Sequence, residues 1–96
     1  MRREEVLTIL RAHHGDIKRF GVKSLRLFGS VARDAASPSS DVDVLVGFDQ
    51  PPTFSGYMKL RIFLEDRLGA KVDLITEGGL RERARPDVER DAIRVA

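Results

Sequence analysis

The sequence predicts a mixed α/β domain, and three observations carry that expectation. Three short apolar runs, Ser24 to Phe28, Asp41 to Val46 and Lys71 to Thr76, have strand length, Val/Leu/Ile-rich composition or a two-residue alternation. Before, between and after them lie segments whose apolar residues recur at spacings of three and four, the period of a helix. Glycines, prolines and serines separate one kind of segment from the other.

Residues Arg3 to about Arg19 read as an amphipathic helix, with Leu7, Leu10, His14 and Ile17 on one stripe and Glu4 and Glu5 suited to its positive first turn. Gly15 weakens its last third, and Gly21 is placed to end it. His13 and His14 point about 100° apart on a helix, so they do not chelate one ion and read as a solvated helix end. After the first strand comes Gly29-Ser30, with Val31-Ala32-Arg33 opening a short helix. The segment from Asp34 to Ser40 is a loop, because Pro38 bars helix continuation and the serines favour local hydrogen bonds. A second loop, Gly47 to Pro52, leads into a helix that starts near Thr53 or Ser55 and runs to Leu68, where Gly69 stops it. Its stripe of Tyr57, Leu60, Phe63, Leu64 and Leu68 is core. Beyond Gly78-Gly79 the chain is dense in charges of both signs, which reads as a solvated face, and Pro86 opens a last helix carrying Val88, Ala92, Ile93 and Val95.

Composition bounds what such a chain does. The 96 residues suit one small domain, 1–96, near the low end of self-sufficiency, so a partner subunit would be unsurprising. A hydrophobic share of 42% excludes a disordered chain. The net charge of +2 comes from 17 basic and 15 acidic residues, too small a surplus to mark a nucleic-acid surface, and no direct nucleic-acid contact is expected. With no cysteine there are no disulfides or zinc-thiolate sites. No secretory signal or span of roughly 20 apolar residues is present, so a cytoplasmic location and no membrane contact are expected.

The chemistry concentrates between Leu27 and Val46. Alternation along a strand puts Asp41 and Asp43 on one face and Val42 and Val44 on the other. Two adjacent carboxylates repel and lose hydration, costs that a divalent cation relieves. Asp73, an acid in a run of Val, Leu and Ile, has the same character, although a charge on an edge strand would look alike. Gly29 permits close backbone approach, and the N–H groups that begin a helix bind phosphate oxygens, with the Ser30 hydroxyl adding to them. Taken alone, Gly-Ser is also an ordinary turn with a capping serine. Together the parts fit a two-metal site, in which ions about 4 Å apart polarise both oxygens of an in-line phosphoryl displacement. Hard carboxylate ligands select Mg²⁺. Asp41 and Asp43 would bridge two ions, and Asp73 would complete the second ion's shell and sit where the attacking hydroxyl arrives, orienting or deprotonating it.

Gly29-Ser30, ten intervening residues, then Asp41-Val42-Asp43, with Phe28 before the pair and Ala32-Arg33 after it, resemble the signature of the polymerase β-like nucleotidyltransferase superfamily. The compact chain is similar to its minimal nucleotidyltransferases, the MNT proteins, from the leading helix to the strand bearing Asp73. The resemblance implies a small mixed sheet of three to four strands with helices packed mainly on one side. It implies Asp41, Asp43 and Asp73 as catalytic carboxylates and metal ligands, and Gly29, Ser30, Arg33 and Ser40 at the nucleotide. Asp34 departs from the pattern, since a glycine often follows the Ala-Arg pair.

Many MNT proteins pair with a HEPN-domain ribonuclease toxin and neutralise it, in characterised cases by moving AMP from ATP to a toxin tyrosine. The resemblance therefore implies an Mg²⁺-dependent adenylyltransferase using two ions and ATP, acting as an antitoxin in a hetero-oligomer with a HEPN partner. Two alternatives stay open: an antitoxin that works by binding alone, and a nucleotidyltransferase whose acceptor is a small molecule or an RNA end.

Overall fold

The computed structural model describes residues 1–96. The first helix, α1, spans Arg3–Ala12 and buries Val6, Leu7 and Leu10, and the Glu5 carboxylate accepts from the Arg2 N–H at 3.2 Å. The single helix expected to Arg19 is two. The His13 N–H bonds the Leu10 carbonyl three residues back, which tightens the last turn and breaks the ladder, and α2 follows at His14–Arg19. His13, not His14, turns inward, with its ring edge-on to Phe63 at 5.9 Å while His14 is exposed.

Strand β1, Val22–Phe28, begins two residues earlier than alternation predicts, and a bulge explains why. Val22, Leu25 and Leu27 are all buried, but the step from 22 to 25 breaks the period of two; the register with the next strand slips between Val22 and Ser24 and restores the facing. The short helix α3, Gly29–Ala32, leads to β2, Val42–Phe48, which extends two residues into the expected loop and pairs antiparallel with β1. Helix α4, Phe54–Leu68, is capped by the Thr53 hydroxyl, which accepts from the Gly56 N–H at 2.9 Å, and is closed by Gly69 at φ +66. Strand β3, Val72–Thr76, runs parallel to β2. A 3₁₀ turn at Glu77–Gly79 leads on to α5, Arg85–Asp91.

The end of the chain corrects the sequence expectation. The last helix does not carry Ala92, Ile93 and Val95: the backbone is extended at Ala92, and Ile93–Arg94 forms β4, antiparallel to β1. Ile93 and Val95 are β-branched and alternate, and the open edge of β1 supplies the backbone partners that a further helical turn would lack. The Leu25 N–H bonds the Ala96 carbonyl at 3.1 Å, and the Val95 N–H bonds the Leu25 carbonyl at 2.8 Å.

The resulting mixed sheet has the order β3-β2-β1-β4. One face, with Leu25, Leu27, Val42, Val44, Val46, Val72 and Leu74, packs into a single core with Val6, Leu7 and Leu10 of α1, Ile17 of α2 and Leu60, Leu64 and Leu68 of α4. Both sheet edges are covered by helix side chains. The Glu65 carboxylate accepts from the Val72 N–H at 3.0 Å, the Tyr57 hydroxyl donates to the Leu74 carbonyl at 2.5 Å, and the Arg11 guanidinium donates to the Arg94 carbonyl at 3.1 Å. The other face carries Arg26, Asp43 and Asp73. There Arg26 ties the sheet to Glu89 of α5 at 2.9 Å and to Glu77 at 3.1 Å. No helix is long and apolar enough to cross a membrane.

Candidate active site

At the end of β1 the chain turns at Gly29, whose φ is +75. Phe28 is the register partner of Asp43, so the turn lies against that carboxylate. A Cβ on Gly29 would land on the Asp43 carboxylate oxygen, with the carboxyl carbon at 3.0 Å. Both the dihedral and the crowding therefore require glycine. Val31 and Ala32 are buried and anchor α3 behind the turn, which leaves Ser30 at its mouth.

Asp41 is exposed immediately before β2, Asp43 is half-buried within it, and Asp73 is exposed on β3. In the parallel pairing of these strands Asp43 and Asp73 are register partners, and the alternation that buries Val42, Val44, Val72 and Leu74 turns the acids to the opposite face. The Asp43 carboxyl is raised above its ordinary value, first by burial, then by the charges of Asp73 and Asp41; Arg33 pulls it partly back. No hydrogen bond offsets this cost.

No three acidic or imidazole side chains gather tightly enough to hold an ion by themselves. The set still fits Mg²⁺, which prefers oxygen ligands and is held by one or two carboxylates, the rest of its shell being water and substrate phosphate. Asp41, Asp43 and Asp73 are the residues that would hold it.

The other residues that the resemblance implies at a nucleotide fall into different settings. The Ser40 hydroxyl is engaged within its own loop, accepting from the Ser37 N–H at 3.0 Å. Arg33 follows α3, half exposed, and its Nη1 donates to the Asp91 carboxylate of α5 at 2.9 Å. Asp34 adopts φ +58, the left-handed region that its usual glycine counterpart enters freely, so the departure from the pattern keeps the turn's shape.

A cavity of about 200 Å³ between Gly29, Arg33, Val88 and Asp91 adjoins the turn. The largest cavity, about 480 Å³, lies at the carboxyl ends of β2 and β3, bordered by Gly47, Asp49, Thr76 and Glu77. That is the far end of the strands from the three acids, so the largest cavity does not coincide with the residues that the sequence singles out.

Sequence reasoning missed Asp91, Arg26 and Glu89. Arg26 left a signal, a charge at an alternate position between Leu25 and Leu27. Asp91 left none, being 58 residues from Arg33 in a segment of mixed charge.

The mixed sheet sets the Gly29 turn against the Asp43 carboxylate, with Asp73 its register partner on β3, an arrangement suited to phosphate chemistry and to the nucleotidyltransferase class. The chain belongs to the nucleotidyltransferase domain family, whose model matches residues 4–95. It is 38% identical over 93 residues to the protein adenylyltransferase MntA of Thermococcus cleftensis, covering 96% of this chain and 94% of the relative. It is similar to a solved structure described as a candidate minimal nucleotidyltransferase, at TM-score 0.84 and 39% identity, over 97% of this chain and 95% of the other. The fold also recurs, at TM-score 0.68 and 15% identity, in a solved complex of a tri-AMPylated Shewanella oneidensis HEPN toxin with an MNT antitoxin, over 94% and 71% of the two chains.

Proposed function

We propose that residues 1–96 act as one catalytic domain that transfers AMP from ATP to a tyrosine hydroxyl of a HEPN-domain ribonuclease toxin, neutralising it in the cytoplasm. The observation that carries the reading is the register pairing of Asp43 with Asp73 beside the Gly29 turn. The adenylyltransferase relative and the fold shared with a toxin–antitoxin complex support the acceptor and the partner.

The turn at Gly29 and the Ser30 hydroxyl bind the β- and γ-phosphates and leave the α-phosphorus facing the three acids. The tyrosine oxygen forms a bond to that phosphorus while the bond to the bridging oxygen of pyrophosphate breaks in line. Asp73, on the edge strand and exposed, orients the hydroxyl and takes its proton. Asp41 and Asp43 would hold the metal side of the site, where Mg²⁺, as two ions, would supply positive charge at the α-phosphate and the departing pyrophosphate.

The test is incubation with labelled ATP, Mg²⁺ and the partner toxin. Label on a toxin tyrosine is expected with the wild type, and none with Asp41→Asn, with Asp43→Asn or after chelation. Transfer that persists in both variants would overturn the site, and label on a small molecule or RNA in place of the toxin would overturn the acceptor.

A further inference from the structure

Arg33 presents a guanidinium with five donors, and the structure uses one edge of it. Nη1 bonds the Asp91 carboxylate at 2.9 Å, while half of the side chain stays exposed beside the Gly29 cavity. Asp91 is itself well fixed. Its side chain is only 12% exposed, Arg90 approaches it at 3.5 Å, and the helix that carries it is held to the sheet by Glu89 on Arg26 at 2.9 Å. An exposed arginine loses considerable side-chain entropy when it binds an anion; one already held by a fixed carboxylate has lost part of that freedom in advance.

We infer that Asp91 is a positioning residue for nucleotide binding: it holds Arg33 at the mouth of the Gly29-Ser30 turn with its remaining donors free for the triphosphate. The inference rests on the proposed nucleotide site. It gives α5 a purpose in that site that its exposed, mixed-charge sequence does not suggest. Asp91 thus acts through Arg33 and need not touch substrate.

The experiment measures ATP binding with Mg²⁺ and the steady-state kinetics of transfer for the full chain and its partner. Asp91→Ala is expected to raise Kd and KM for ATP about tenfold, with kcat changed less than about threefold, the pattern of lost ground-state binding. Arg33→Ala should do the same, and the double variant should be no weaker than Arg33→Ala alone, because the two residues act as one unit. Asp91→Asn, which keeps an acceptor oxygen, should recover part of the affinity, and Asp66→Ala, which removes an exposed acid on α4 outside this cavity, should leave it unchanged. An unchanged KM in Asp91→Ala, or full additivity with Arg33→Ala, would overturn the inference while wild-type ATP binding keeps the nucleotide site. Absence of ATP binding by the wild type would overturn both. A fall in kcat with no change in KM would mark a general loss of structure and also count against it.

Discussion

Asp43 and Asp73 face the same side of the sheet as register partners of two parallel strands, and neither is neutralised by a protein cation at bonding distance. The consequence is a stability cost that depends on pH. The native Asp43 carboxyl lies above its ordinary value of 3.8, so at intermediate pH the folded chain holds a proton that the unfolded chain has released. Stability therefore falls as pH rises from the ordinary carboxylate range through the raised native value, and the deficit persists above it. In metal-free buffer at pH 7, Asp43→Asn should unfold at a higher urea concentration than wild type, and the gap should close as pH approaches 4 or when Mg²⁺ is added. Equal midpoints at pH 7 without metal would show that no such cost exists.

Two glycines with positive φ separate backbone strain from crowding. Gly29→Ala combines an unfavourable dihedral with a methyl group driven into the Asp43 carboxylate, whereas Gly69→Ala at φ +66 meets nothing within 4 Å. Gly69→Ala should cost about 1 kcal/mol in urea unfolding and leave adenylyl transfer intact. Gly29→Ala should cost about 1–3 kcal/mol and abolish transfer, because relief of the clash moves either the turn or the carboxylate. Comparable activity in the two variants would separate the turn from the site.

What was legible in the sequence depended on how local the physics was. The helix running to Leu68, its start near Thr53 and its Gly69 stop were readable because the determinants lie within one turn of each boundary. The three acids were readable because a carboxylate is rare in or beside a run of Val, Leu and Ile. The early start of β1 was hidden by a bulge, which breaks the period that reveals strands. Strand β4 was hidden because Ile93 and Arg94 become a strand only through the edge of β1, some 67 residues earlier in chain register. Asp91 was hidden for the same reason: its partner Arg33 is distant in sequence.

Asp34 tests whether the left-handed turn after α3 is tolerated or strained. At φ +58 it bears a side chain where glycine is freer, but its carboxylate accepts from the Arg3 N–H at 3.3 Å and so helps to tether α1. For Asp34→Gly the relief and the lost bond nearly offset, and urea unfolding should shift by less than about 1 kcal/mol. Asp34→Val keeps neither advantage and adds a β-branched side chain in a disfavoured region, so a loss of about 1–2 kcal/mol is expected. A valine variant as stable as wild type would mean that the turn adopts another backbone conformation.

Arg26 provides the last test, because it fastens α5 to the far face of the sheet. It is 22% exposed, and its two terminal nitrogens hold Glu89 at 2.9 Å and Glu77 at 3.1 Å; these carboxylates raise its pKa, the hydrogen bond to Glu89 most of all. Arg26→Ala leaves both acids facing a bare patch of sheet. Partial exposure screens the loss, so global stability should fall by about 1 kcal/mol, less at high salt. The local effect should exceed the global one. Helix α5 has seven residues and a single buried side chain, Val88, so amide exchange there should accelerate in the variant while α4, with Leu60, Leu64 and Leu68 in the core, stays protected. Equal acceleration in both helices would mean that Arg26 supports the whole core. Unchanged exchange in α5 would mean that apolar contact alone holds the helix, and that the two ion pairs follow its position without setting it.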